Sequence, residues 1–251
     1  MKFKRFVAIA LMSMLGWSTQ AAAEDIVVSA AASLTNAFTE LSVQFQQAHP
    51  GAKVLMSFAA SDVLAQQIVN GAPSDIFASA DQKAMNKAVE AKVIDTATRR
   101  DFVRNEVVLV VPADNPLKIN SLADLNAAGV KRVAFGNPAT VPVGRYTKAA
   151  LEHTGNWNEV KRREVLGQSV RQVLDYVARG EVDAGFVFAT DAAIMPEKVK
   201  VIEKLVSPIP VLYPIALVQR PGRPSLAADF LAYILSPSGQ ATLAKYGFSQ
   251  P

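Results

Sequence analysis

The chain has 251 residues, half of them hydrophobic, with 26 Lys and Arg against 22 Asp and Glu and no cysteine. The missing cysteines exclude disulfides, thiolate catalysis, thiolate metal sites and a lipid-bearing cysteine at a cleavage point. The formal charge is +4, part of which belongs to the first residues; the nearly balanced remainder offers no general field for nucleic acid or an anionic membrane, and the one dense basic run, Lys161-Arg162-Arg163, reads as a solvated face.

The pattern at the start of the chain is that of an export signal. Lys2, Lys4 and Arg5 precede an uncharged apolar run from Phe6 to Trp17, and Ala21-Ala22-Ala23 supplies a small-residue cleavage site. The run is shorter than the roughly 20 residues a membrane-spanning helix needs. Cleavage after residue 23 removes three of the 26 basic residues and none of the 22 acidic ones, which leaves 23 against 22, a net charge of +1. The rest of the chain is long enough for one large domain or two lobes, and the expected location is the periplasm.

Beyond residue 23, short apolar runs alternate with helical patterns, which predicts an α/β fold with mainly parallel sheets flanked by helices. Ile26–Ala30 reads as a strand; Leu34, Phe38, Leu41 and Phe45 then recur at helical spacing until His49-Pro50-Gly51. A strand at Lys53–Phe58, a helix at Ser61–Asn70 closed by Gly71, a strand at Asp75–Ala78 and a helix from about Asp81 follow. Asn105–Pro112 reads as one long strand. The pattern then restarts with a helix at Ser121–Ala128, a strand at Arg132–Phe135, a helix at Gly144–His153, an amphipathic helix carrying Val170, Val173, Leu174 and Val177, and a strand at Ala184–Phe188. Tyr213–Gln219 is strand-like, and helices at Leu226–Leu235 and Ser238–Tyr246 close the chain.

The restart predicts two lobes, with the long strands near Val107–Val111 and Val211–Val218 as crossings and a ligand cleft between the lobes. The expected organisation is a signal peptide at 1–23, a first lobe built from 24–106 and 213–251, and a second lobe from 107–212.

Three helix starts come directly after strands and carry small residues: Ala30-Ala31-Ala32-Ser33, Ala59-Ala60-Ser61 and the Pro/Gly-rich stretch from Gly136 to Gly144. A helix N-terminus presents unpaired N–H groups and partial positive charge, so several converging on a cleft bind an anion without Lys or Arg. Ligands in open α/β sheets sit beyond the carboxyl ends of the strands, where these loops lie. Small side chains let backbone approach the ligand, and Ser33 and Ser61 each add a hydroxyl. Serine is also a preferred N-cap where nothing binds, so the pairing of two such serines carries the inference. Asp62 would repel an anion if it faced the ligand and is expected to point outward.

These stretches, together with Ser57-Phe58-Ala59-Ala60-Ser61, Gly71-Ala72-Pro73-Ser74-Asp75-Ile76-Phe77-Ala78-Ser79-Ala80-Asp81-Gln82, Ile94-Asp95-Thr96-Ala97-Thr98-Arg99 and Tyr246-Gly247-Phe248, resemble the periplasmic molybdate-binding proteins, and the matches run in order over nearly the whole chain after the signal. The resemblance implies two α/β lobes closing on molybdate or tungstate, delivery to the membrane permease of an ATP-driven ABC importer, a monomer, and no cofactor. The metal is then bound as an oxyanion, without side-chain coordination. It implies Ser33 and Ser61 as hydroxyl and N–H donors and the backbone N–H groups of Val143 and Val170 as further donors. At Phe188 the family commonly has a tyrosine whose hydroxyl reaches the ligand; phenylalanine lines the cleft without donating, and Tyr146 is one substitute to examine.

No enzyme signature accompanies this pattern. His49 and His153 are the two histidines and lie far apart in sequence, and neither a Gly-x-Ser-x-Gly elbow nor a Gly-x-x-x-x-Gly-Lys loop occurs. Asp81 and Asp191 read as caps or turn residues. A receptor for another small anion, such as sulfate or an organic acid, is the alternative, followed by a two-lobed enzyme.

Overall fold

The computed structural model describes residues 25–251, so the signal peptide expected at 1–23 lies outside the described residues. Among those residues, no helix is long and apolar enough to cross a membrane.

Two five-stranded sheets carry the structure. In the first, β1 (Asp25–Ala31) lies between β2 (Lys53–Ala59) and β3 (Ile76–Ala78), parallel to both. β10 (Val211–Leu217) runs antiparallel beside β3, and β4 (Arg100–Asn105) closes the edge antiparallel to β10. The second sheet repeats this plan, in the order β7 (Glu164–Gly167), β6 (Val133–Gly136), β8 (Ala184–Phe188), β5 (Val107–Pro112) and β9 (Val199–Lys204). β6 is parallel to β7 and β8, while β5 is antiparallel to β8 and β9. Each sheet thus holds four strands in one direction and one reversed, and the reversed strand is the one that arrives from the other sheet.

In the first sheet the connection from β1 to β2 runs one way along the sheet and that from β2 to β3 the other, so right-handed crossovers place their helices on opposite faces. The core follows. On α1 (Thr35–Ala48), Phe38, Leu41 and Phe45 join the larger apolar cluster together with Phe230 and Ile234 of α8 (Leu226–Leu235) and Leu243 of α9 (Pro237–Lys245). On α2 (Ser61–Val69), Leu64 and Ile68 form a separate cluster with Met85 of α3 (Gln82–Glu90) and with Phe77. The helices α4 (Pro142–His153) and α6 (Val170–Ala178) pack on β6, β8 and β5 of the second sheet.

Several sequence expectations need correction. The long strand expected at Asn105–Pro112 is β5 from Val107 on; its first residue, Asn105, instead ends β4 in the other sheet, a strand not foreseen as separate, and Glu106 lies between them. The helix expected at Ser121–Ala128 is a short 3-10 turn, Leu122–Asn126, in which only Leu125 is buried. It is opened by a capping box in which the Asp124 carboxylate accepts from the Ser121 backbone N–H at 2.9 Å. α4 starts at Pro142 rather than Gly144, since proline is pre-set for a first helical turn. β7, β9 and the short helices α5 (Trp157–Lys161) and α7 (Ala189–Ala192) were not foreseen.

Candidate functional site

The carboxyl ends of β1, β2 and β8 face a shared small cavity, as do the starts of α4 and α6. Its wall is Ala31–Ser33 from the end of β1, Ala59–Ser61 from the end of β2, Ala80, Val141–Val143 at the start of α4, Val170, and Phe188 at the end of β8. All five residues singled out from sequence are brought together there. The cavity volume is about 10 Å³, close to the ~10–15 Å³ that admits one water molecule. The wall carries no charged side chain.

Local sequence explains how each donor reaches the wall. Ser61 is the first residue of α2 and fully buried, so its N–H has no acceptor within the helix. The Ala80 N–H donates to Ser61 Oγ at 2.9 Å, which occupies a lone pair of the hydroxyl and leaves its proton to be donated elsewhere. Ser33 is 4% exposed and lies in the 3-10 turn Ala32–Leu34. Its Oγ is 2.9 Å from the Tyr213 hydroxyl.

Val143 is the second residue of α4, directly behind a proline that has no N–H, so its own N–H is a first-turn donor. Glycine makes this approach possible: a Cβ on Gly144 would lie 1.8 Å from the Gly136 carbonyl oxygen, so the start of α4 rests directly on the end of β6. Val170 opens α6, where the preceding Ser169 hydroxyl accepts from the Gln172 N–H at 3.2 Å and caps the helix, which leaves the Val170 N–H unengaged by the cap.

Phe188 is buried, with ring contacts to Tyr213 (centroids 5.7 Å apart) and Tyr146 (6.3 Å). Tyr146 is not part of the cavity wall. Burial, and the nearby Asp81 carboxylate, hold its phenol pKa far above the ordinary value; it is a packed core residue and not a replacement for the tyrosine hydroxyl.

Charges surround the cavity without entering it. Asp62 does not point out into solvent as expected. Arg145 of α4 reaches across to donate to both Asp62 and Asp81, with Nε at 2.7 Å from Asp81 Oδ2. Asp81 also caps α3, accepting from the Ala84 N–H at 3.0 Å. Burial pushes the Asp81 carboxyl up, against the pull of Arg145. On α6, Arg171 donates from Nε to the buried Asp191, from Nη1 to Asn36 Oδ1 at 2.9 Å and from Nη2 to the Ser33 carbonyl at 3.5 Å. Two arginines of the second lobe therefore reach the first, Arg145 to Asp62 and Asp81 and Arg171 to Asn36 and the Ser33 carbonyl.

Sequence reading missed these two arginines, although Arg145 follows the Val141–Gly144 loop and Arg171 follows Val170, which is a signal by adjacency. Tyr213 and Asn105 had no such signal. Asp191, expected as a cap or turn residue, is a fully buried ion-pair partner. Among the described residues, no group of three or more His, Asp or Glu side chains is placed to hold a metal ion.

Two sheets of one plan, joined by crossings, with helix tips from both meeting at a small uncharged cavity, define a two-lobed solute-binding protein. The bacterial extracellular solute-binding protein family matches residues 26–249. The molybdate-binding protein ModA of Escherichia coli is 37% identical, over 97% of this chain and 96% of that protein, and ModA of Haemophilus influenzae is 34% identical over 99% and 98%. Among solved structures, the periplasmic molybdate-binding protein of Azotobacter vinelandii is similar with a TM-score of 0.78 at 25% identity, covering 90% of this chain and 99% of that one. The chain belongs to the bacterial extracellular solute-binding protein family and, within it, to the ModA molybdate-binding proteins.

Proposed function

We propose that the protein captures molybdate, and tungstate with it, in the cavity between its lobes and presents the ion to the membrane permease of an ABC importer. The observation that carries this reading is a cavity walled by two serine hydroxyls and four helix starts with no charged side chain. Ser33 and Ser61 donate through hydroxyl and N–H, Val143 and Val170 through N–H, and Phe188 supplies an apolar wall. Neutral donors suit a fully ionised tetrahedral dianion, because every oxygen accepts and no group must take a proton. The names of the relatives point to the same ligand.

Residues 24–106 with 213–251, and 107–212, act as the two lobes. Binding favours the closed arrangement because only closure brings Ser33 and Ser61 within reach of the same ion as Val143 and Val170. The protein works as a monomer in the periplasm after loss of residues 1–23, holds no cofactor and catalyses no reaction. Thermal-shift measurements with molybdate, tungstate, sulfate, hydrogen phosphate and chromate test the ligand, since one that binds only the folded state raises the melting temperature. The largest shift is expected with molybdate or tungstate; stronger protection by sulfate or an organic acid overturns the reading.

A further inference from the structure

The hydroxyl of Ser33 is one of the two hydroxyls in the proposed donor set, and the direction of its proton is decided by residues that do not touch the cavity. Asn105 ends β4, at the crossing between the lobes. Its Oδ1 accepts from the Glu106 N–H at 2.9 Å, which orients the amide. The Nδ2 group then has two protons to place. It donates one to Thr190 Oγ1 at 2.8 Å and one to the Tyr213 hydroxyl at 3.2 Å.

Tyr213 is fully buried, and burial keeps its phenol protonated far above the ordinary range. Having accepted from Asn105, its hydroxyl has one proton to give, and among the described residues the acceptor within reach is Ser33 Oγ at 2.9 Å. The opposite polarity, with Ser33 donating to Tyr213, would leave the tyrosine proton facing only another donor, an unsatisfied group in a dry interior. Ser33 Oγ is therefore an acceptor toward Tyr213, and its own proton is turned toward the cavity.

We infer that Asn105 and Tyr213 are positioning residues which, by fixing this hydrogen-bond direction, aim the Ser33 proton into the cavity and so favour anions whose oxygens all accept over anions that carry a proton. Ser61 is set in the same sense by the Ala80 N–H. A hydrogen phosphate placed in the cavity would have its P–O–H proton facing hydroxyl protons already turned toward the ligand; molybdate and tungstate have no such proton. This inference rests on the oxyanion reading of the cavity and adds to it the residues that set which protonation state is admitted.

The test is a pair of calorimetric titrations at pH 8, with molybdate and with hydrogen phosphate, on the full protein and on Tyr213→Phe, which keeps the ring packed against Phe188 and Phe248. In Tyr213→Phe the Ser33 hydroxyl is free to turn its proton away from the cavity and present a lone pair to the ligand. The ratio of the phosphate Kd to the molybdate Kd is expected to fall about tenfold or more, the scale of one hydrogen bond to a charged group. Asn105→Ala, which releases Tyr213 to accept from Ser33, shifts the ratio in the same direction and serves if Tyr213→Phe does not fold. In a Ser33→Ala background, Tyr213→Phe has no further effect on the ratio, which a merely structural role would not produce. An unchanged ratio in a folded Tyr213→Phe that still binds molybdate overturns the inference while the oxyanion reading stands. Failure of the unaltered protein to bind molybdate or tungstate overturns that reading and the inference with it.

Discussion

Replacing Arg145 with alanine separates the stability of the fold from the stability of the closed cleft. The Arg145 side chain is 16% exposed and its partners Asp62 and Asp81 are 14% and 6% exposed. The network is thus more enclosed than surface pairs worth ~0.2–1 kcal/mol and less so than buried pairs whose disruption costs ~3–5 kcal/mol. About 2 kcal/mol for the three-residue network follows as an intermediate value. Arg145 belongs to one lobe and both carboxylates to the other, so opening the cleft lets water reach all three. The loss therefore falls on closure rather than on folding of either lobe. If the ligand binds the closed arrangement, weakening closure by about 2 kcal/mol raises the molybdate Kd about 30-fold. Isothermal calorimetry gives that number, and small-angle scattering of ligand-free Arg145→Ala should show a larger radius of gyration. Arg145→Lys, which keeps the charge but not the two-carboxylate reach, should fall between. A Kd within twofold of the unaltered protein would refute the clamp.

Four further outcomes follow from the same geometry. Ser33→Ala combined with Ser61→Ala should weaken molybdate binding by about a hundredfold or more, at ~1.5–3 kcal/mol per bond to a charged group, with the circular dichroism spectrum intact; unchanged affinity by calorimetry removes both from the site. Phe188→Tyr restores the hydroxyl usual in the family and should tighten molybdate binding about tenfold; no gain in a titration would show that the ring edge does not reach the ion. Gly144→Ala must relieve a 1.8 Å approach to the Gly136 carbonyl, a backbone overlap expected to cost about 2–3 kcal/mol. This lowers the melting temperature by about 6–10 °C, and an unshifted melting curve would show that α4 can lift off β6 freely. Burial pushes the Asp191 carboxyl up to about 6, against the pull of Arg171. The folded protein therefore holds a proton that the unfolded chain has released, and this contribution is complete below pH ~4 and lost as the pH rises through about 6. Asp191→Asn does not titrate, so its melting temperature should rise relative to the unaltered protein between those values, and a constant difference across the range counts against the assignment.

What was legible in the sequence depended on how each residue meets solvent. Central strands carry uninterrupted apolar runs, as in Val107–Val111 or Ala184–Phe188, and these were readable. The three strands missed or merged, β4, β7 and β9, are all sheet edges. Edge strands carry charges that keep them from pairing further, and Arg100, Arg104, Glu164, Lys200 and Lys204 interrupt the apolar pattern in this way. The cavity-wall residues were readable because they sit at strand-to-helix junctions, where local sequence fixes both backbone geometry and the unpaired N–H groups. The residues behind the wall were not. Asn105, Tyr213 and Ser33 lie 108 and 180 positions apart along their hydrogen-bond chain, and no local pattern marks a contact made by two crossings of the chain.

The placement of charge gives these features a common reason. A cavity with a cationic side chain in its wall would attract every small anion and hold it whatever its protonation state. Here the arginines stand outside the wall and are spent on carboxylates: Arg145 on Asp62 and Asp81, Arg171 on Asp191. They hold the lobes together without contributing a free charge to the ligand, so the ion is selected by hydrogen-bond direction and by the size of the space. The same division allows release. A partner that pries the lobes apart breaks the Arg145 pairs with Asp62 and Asp81 and the Arg171 bonds to Asn36 and the Ser33 carbonyl, whose groups are then solvated, and the ion is left with only the donors of one lobe. The Arg145→Ala and Tyr213→Phe variants therefore act on different quantities, the first on how readily the cleft closes and the second on what it closes around, and their effects on molybdate affinity should add when combined.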